Sequence, residues 1–216
     1  MHVIIFAGGT VQPGRAVEQA LADAEMVIAA DSGAATALQF GYTPAIVVGD
    51  FDSLEALPLQ QLQARGSEII RVAAEKDETD SELAVLTAIE RGATAITILG
   101  ALGGARFDHT MANVMLLAAF ESAAIRIVDG VSTCWLLRGP GSSEITGQPG
   151  DLLSLIPLTA EASGIHTTNL YYPLRGETLR FGRPRGVSNV LTAEHATVSL
   201  QNGLLLIIHT DAAMSC

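Results

Sequence analysis

Over its first 130 residues the chain alternates short apolar runs with longer stretches of helical spacing. The runs His2–Phe6, Met26–Ala30, Ile46–Val48, Glu68–Val72, Ala95–Leu99 and Ile125–Val128 are rich in Val and Ile and predict strands. Between them, Arg15–Ala22, Ala34–Phe40, Leu54–Ala64, Thr79–Arg91 and Asp108–Phe120 carry helix formers at helical spacing. Strict alternation of this kind predicts an α/β, Rossmann-like parallel sheet with helices on both faces. After about Gly130 the helical period is lost. Short runs at Ser132–Leu137, Leu152–Ile156, Leu170–Tyr172, Thr178–Phe181, Ala196–Leu200 and Leu204–His209 are separated by turn signals such as Gly139-Pro140-Gly141 and Gln148-Pro149-Gly150-Asp151. They predict an antiparallel β-sandwich, with Asn202-Gly203 as a hairpin turn between the last two strands. The boundary divides the chain into residues 1–130 and 131–216.

In a parallel α/β sheet, ligands sit beyond the carboxyl ends of the strands. The polar residues follow that rule. Asp31 comes after the second strand, and Asp50 and Asp52 after the third. Lys76, Asp77, Thr79 and Asp80 follow the fourth, and Gly103, Gly104, Arg106, Asp108 and His109 the fifth. Asp50 and Asp52, two apart, point the same way in an extended chain. Two carboxylates about 4 Å apart repel by roughly 4 kcal/mol at an effective dielectric of about 20. A cation between them removes the repulsion, and Mg²⁺ takes this kind of oxygen site. Capping of a helix starting near Ser53-Leu54 accounts for one of the two acids and leaves the other unexplained.

The remaining polar residues each carry a plainer reading. Asp77 and Glu78 complement a helix macrodipole, Asp108 caps the helix that follows it, and His109 is a first-turn histidine. Gly103-Gly104 is a turn or a phosphate cradle ahead of a helix N-terminus. Lys76, the single lysine, neutralises the acids or reaches a phosphate. Gly8-Gly9 opens like a dinucleotide loop, but the remaining glycine spacing is missing. Arg180, Arg183 and Arg185 form a basic loop, solvated or in contact with phosphate. Trp135 and Tyr172 offer rings for stacking, with core packing as the plainer role.

Charge and composition narrow the partners. A formal net charge of −11 argues against nucleic acid and anionic membranes. Hydrophobic residues make up 49% of the 216, enough for a packed core, yet no apolar run is long enough to span a bilayer. The start has no secretory signal pattern, and the only cysteines are Cys134 and Cys216. A cytoplasmic protein is expected.

Taken in order, Asp31-Ser32-Gly33-Ala34, Gly49-Asp50-Phe51-Asp52-Ser53, Lys76-Asp77-Glu78-Thr79-Asp80, Gly103-Gly104-Ala105-Arg106-Phe107-Asp108-His109, Leu170 to Leu174 and Arg185-Gly186-Val187-Ser188-Asn189 resemble the thiamine pyrophosphokinase family. The resemblance implies transfer of a diphosphate from ATP to the hydroxyl of thiamine, releasing AMP. It also implies an N-terminal nucleotide-binding catalytic domain, a C-terminal thiamine-binding sandwich, and homodimers with active sites at the subunit interface. By the same resemblance Asp31, Asp50, Asp52 and Asp80 hold Mg²⁺ and phosphate. Lys76, Asp77, Thr79, Gly103, Gly104 and Arg106 face the nucleotide, and Ser188, Asn189, Tyr172 and His109 face thiamine. Asp80 and Asp108 are the candidate bases. Ser32 departs from a common second glycine and Tyr171 from a common lysine. A pyrophosphokinase for another alcohol, such as a hydroxymethyl pterin, and a non-catalytic Mg-nucleotide sensor are the alternatives.

Overall fold

The computed structural model describes residues 1–51 and 56–212. It divides into two compact units, Met1–Gly130 and Val131–Cys216.

In the first unit six strands, β1 (His2–Phe6), β2 (Met26–Ala30), β3 (Ile46–Gly49), β4 (Glu68–Arg71), β5 (Ala95–Leu99) and β6 (Ala124–Asp129), lie in the order β6-β5-β1-β2-β3-β4. All neighbouring pairs are parallel. Strands β1, β2, β3 and β5 are apolar almost throughout because the sheet is covered on both faces, whereas β4 and β6 carry exposed residues such as Glu68 and Arg126. Ile4 and Phe6 join Val17, Leu21, Ala34, Ala37 and Leu62, from the helices α1 (Arg15–Ala22), α2 (Gly33–Gln39) and α3 (Ala56–Ala64), in one core. Val3 and Ile5, which alternate to the other face, are equally buried. Helix α4 (Asp80–Glu90) packs on β1, β2 and β3, and α5 (Phe107–Leu116) follows β5.

The strand order reverses between β1 and β5, since the chain winds outward from β1 to β4 and then returns to the other side of β1 for β5. Such a reversal opens a crevice beyond the carboxyl ends of the two central strands. The first-unit strand ranges match the sequence expectation to within a residue at either end. Helix α5 is shorter than expected. It stops at Leu116, where Ala118 and Ala119 donate to the carbonyls three residues back and tighten the last turn. The expected start of α3 at Ser53-Leu54 lies outside the described residues.

In the second unit, β7 (Ser132–Arg138), β9 (Leu152–Pro157), β12 (Asn189–Val190) and β14 (Leu204–Thr210) form one antiparallel sheet, ordered β12-β9-β14-β7. Strands β8 (Gly141–Thr146), β10 (Glu161–Thr168), β11 (Arg175–Arg180) and β13 (His195–Leu200) form the other, ordered β11-β10-β13-β8. Inward residues of both sheets, including Leu153, Leu155, Ile207, Ile165 and Val198, make one core, and Trp135 packs against it while donating to Ser143 Oγ at 3.0 Å. This is the expected β-sandwich.

Its details depart from the pattern reading in several places, and β8 and β12 lie where no strand is predicted. Asn202-Gly203 is not a hairpin turn: β13 pairs with β8 and β10, and β14 with β7 and β9. Both strands bury one apolar face, so the segment carries the chain from one sheet to the other, held by paired main-chain bonds between Ser163 and Asn202. Leu170–Tyr172 is not a strand but contributes a single bridge, Leu170 to Leu191. Strand β10 is invisible to a two-residue period because its pairing shifts register between Ala162 and Ile165, where Gly164 sits at φ +67°. Among the described residues no helix is long and apolar enough to cross a membrane.

Candidate functional site

The crevice at the sheet reversal is an open cleft of about 500 Å³. One wall is glycine backbone. Gly8 and Gly9 leave β1, Gly100 leaves β5, and Gly103 and Gly104 follow. These loops touch so closely that a Cβ on Gly103 would lie 2.2 Å from the Thr10 carbonyl oxygen, and one on Gly9 2.2 Å from that of Gly103. Only glycine at both positions lets the two main chains meet. Two side chains of α5 secure the second loop: Asn113 Nδ2 donates to the Ala101 carbonyl at 3.0 Å and Thr110 Oγ1 to that of Leu102 at 3.2 Å. The glycine spacing missing after Gly8-Gly9 within its own loop is made up across two loops, by Gly100, Gly103 and Gly104. For Asn113 and Thr110 the three-residue separation on a helix is the one sequence signal that they share a face.

The opposite wall is acidic. Asp31 follows β2 at φ +44°, buried, with its amide donating to the Val48 carbonyl at 2.9 Å. Asp50 follows β3, and Asp80 is the first residue of α4. Lys76 lies between them with its side chain only 14% exposed. Its Nζ is 2.7 Å from Asp80 Oδ1 and 3.8 Å from Asp50 Oδ2. Burial opposes the ammonium charge, but the Asp80 hydrogen bond and the fields of Asp80, Asp50 and Asp31 outweigh it and raise the lysine's pKa. Thr79 caps α4, its Oγ1 accepting from the Glu82 amide at 3.2 Å, and lines the same cleft.

Arg106 and His109 reach the rim, whereas Asp77 is exposed and outside the lining. Asp108 is also outside it. Its carboxylate takes a two-pronged contact from Arg106, Nε to Oδ1 at 2.9 Å and Nη2 to Oδ2 at 2.6 Å, and this pair holds the acid well below the usual carboxylate range. Both side chains of that pair are exposed and screened by water, and the contact does not bring Asp108 into the cleft. Nor is Asp108 the helix cap: Arg106 occupies that position without a side-chain capping bond, and Asp108 sits in the first turn. Asp52 lies outside the described residues.

A cation fits this donor set. Asp50 and Asp80 both reach one ammonium, with Asp31 in the same cleft, and hard oxygen donors suit Mg²⁺. Among the described residues no three acidic or imidazole groups close into a complete cage. Mg²⁺ is commonly held by one or two carboxylates with waters and substrate phosphates supplying the rest.

The second unit carries a cavity of about 520 Å³ lined by Leu155, Tyr171, Tyr172, Leu174, Arg185, Val187 and Asn189. Tyr171 and Tyr172 meet edge to face, centroids 4.8 Å apart, and both rings are largely exposed. Asn189 is buried, and its amide is spent on main chain. Oδ1 accepts from the amides of Tyr172 at 3.0 Å and Val190 at 2.9 Å, and Nδ2 donates to the Tyr172 carbonyl at 2.8 Å. The residue therefore orients Tyr172. Ser188, at φ +60°, donates its amide to Ser154 Oγ at 3.1 Å. Arg185 stands 3.9 Å from Glu177, and Arg180 pairs with Glu161.

A parallel α/β unit with an acidic, glycine-walled cleft at its sheet reversal has the build of a phosphate-binding enzyme unit. Residues 17–128 match the thiamin pyrophosphokinase catalytic domain, and residues 143–205 match the thiamin pyrophosphokinase vitamin B1 binding domain. The chain is 30% identical to the thiamine pyrophosphokinase of Bacillus subtilis over 186 residues, 85% of this chain and 86% of that one. The crystal structure of thiamine pyrophosphokinase from Bacillus subtilis superposes with a TM-score of 0.86 at 28% identity, covering 98% of this chain and 100% of that one. That from Geobacillus thermodenitrificans gives 0.83 at 29% identity, with 100% of both chains covered. The chain belongs to the thiamin pyrophosphokinase family.

Proposed function

We infer that this chain converts thiamine to thiamine diphosphate, taking the diphosphate from ATP and releasing AMP. The observation that carries the reading is the pair of family matches, one for each unit, in the family's order. The match over 143–205 disfavours a pterin acceptor, and with the catalytic match disfavours a sensor without turnover.

The thiamine hydroxyl oxygen bonds to the β-phosphorus, the bond from that phosphorus to the α–β bridging oxygen breaks, and AMP leaves with the electron pair. Such a reaction needs positioning and charge neutralisation more than covalent help from the protein. The glycine main chain of Gly9 and Gly103 lets phosphates approach closely. Asp50 and Asp80, with Asp31, would hold Mg²⁺, and Asp52 joins them by the family resemblance. When bound, the ion neutralises charge on the phosphates as AMP departs. Lys76 supplies a second positive charge in the same cleft. Asp80 and Asp108 stay the two candidate bases for the hydroxyl proton, each paired with a cation, Asp80 with Lys76 and Asp108 with Arg106. The tyrosine cavity of the second unit suits a flat cationic ring, with Tyr172 held in place by Asn189.

The reading includes a cytoplasmic homodimer whose active sites lie at the subunit interface, a proposal that rests on the family resemblance. Mixing an inactive Asp50→Asn subunit with an inactive Ser188/Asn189 double-alanine subunit should restore activity. Verified subunit exchange without restored activity would place each site within one chain.

Product analysis tests the transfer itself. With Mg-ATP and thiamine, AMP and thiamine diphosphate should accumulate one for one. ADP with thiamine monophosphate would sink the reading.

A further inference from the structure

Strand β3 delivers Asp50 to the cleft through an unusual piece of main chain. The next residue, Phe51, has φ +62°, in the left-handed region that bulky side chains avoid, and its ring is buried in the core beneath α1 to α3. Such a conformation persists only where its neighbours over-determine it.

One neighbour holds it twice. Arg71 ends β4 and is the register partner of Gly49. Its Nη1 donates to the Asp50 carbonyl oxygen at 2.9 Å, and its guanidinium carbon stands 4.9 Å from the centroid of the Phe51 ring. The Val72 amide, donating to the Gly49 carbonyl at 3.1 Å, continues the strand pairing up to this point. One side chain thus grips the carbonyl of Asp50 and the ring of the residue after it. The direction of that peptide sets where the Asp50 Cα–Cβ bond points. Arg71 is itself absent from the lining of the cleft.

We propose that Arg71 is a positioning residue for the transfer reaction, clamping the Asp50–Phe51 turn so that the Asp50 carboxylate is presented to the metal and phosphates. The proposal rests on the reading of Asp50 as a magnesium ligand. Arginine suits the task because its planar fork donates in-plane while its face lies on an aromatic ring. A lysine ammonium is a compact charge that does one of these things at a time.

The test uses the full chain and the complex of Mn²⁺ with α,β-methylene-ATP, whose bridging carbon blocks transfer, with binding measured by calorimetry. Arg71→Ala should weaken binding about tenfold, the lower end of what removing a group behind a metal ligand costs. Arg71→Lys should recover only part of the loss. Steady-state kinetics should show a raised Mg²⁺ requirement with the KM for thiamine unchanged. In an Asp50→Asn background, Arg71→Ala should add nothing, because the carboxylate it orients is gone. The clamp is overturned if Arg71→Ala binds like the parent while Asp50→Asn does not, or if Arg71→Ala costs the same factor in both backgrounds. If Asp50→Asn itself binds the complex at parental affinity, the metal reading of Asp50 has failed and the clamp falls with it.

Discussion

Asp50→Asn is expected to lower Mg²⁺-dependent transfer by about a thousandfold while the protein stays folded. The change keeps the shape of the side chain and removes a charge that the proposed Mg²⁺ site needs. Loss of one charge-neutralising anchor worth about 4 kcal/mol in the transition state corresponds to that factor. Stability should move little. In the fold Asp50 is repelled by Asp31 and Asp80 but attracted by Lys76, whose Nζ is 3.8 Å away, so the terms oppose. The melting temperature without metal should therefore stay within about 3 °C of the parent, less than 1–2 kcal/mol for a chain of this size. Turnover near the parental rate at limiting Mg²⁺ would remove Asp50 from the metal site. Unfolding at room temperature would show instead that the residue is structural.

Gly103→Ala should damage both activity and stability. The added Cβ would sit 2.2 Å from the Thr10 carbonyl oxygen, which belongs to main chain and has no rotamer to adopt. The loop must then move off its neighbour. Overpacking of this kind costs about 1–3 kcal/mol, which lowers the melting temperature by about 3–10 °C. Displacing the wall proposed to face the phosphates by about 1 Å is enough for about a hundredfold loss of turnover. Gly41→Ala is the control: Gly41 is at φ +84° with no atom within 4 Å of its Cβ position. It should lose about 1 kcal/mol through backbone strain and keep full activity. Equal activity in the two variants would show that close packing of the glycine loops is irrelevant to phosphate binding.

Much of the first unit was legible because its strands are short, apolar and separated by helices of clear period. A buried parallel strand must be apolar on both faces, so Ile46 to Val48 announce themselves without tertiary information. The second unit was less legible. Strand β8 shows one large buried residue, Ile145, along six positions, and β10 breaks its own alternation at a bulge. In an antiparallel sandwich half of each strand faces solvent, so composition alone does not mark it. The Asn202-Gly203 error has the same origin. A turn signal says that the chain reverses, but the choice between neighbour and opposite sheet depends on which apolar faces must meet.

The sequence by itself determined which strand ends carry the acids and glycines of the candidate site. Acids and glycines placed after successive strands of a parallel sheet must gather at one end of it, because each crossover returns the chain in the same direction. Asp31, Asp50, Asp80, Gly103 and Gly104 came together for that reason. Only the tertiary structure decided what each side chain has free to offer. Asn189 spends its amide on Tyr172, Asp108 is paired with Arg106 outside the cleft, and Lys76 stands between Asp50 and Asp80. Arg71, twenty-one residues from Asp50, reaches its carbonyl through strand pairing. Hydrogen bonds and ion pairs form within about 3 to 4 Å, and no spacing along a chain specifies which groups come that close once the strands have paired.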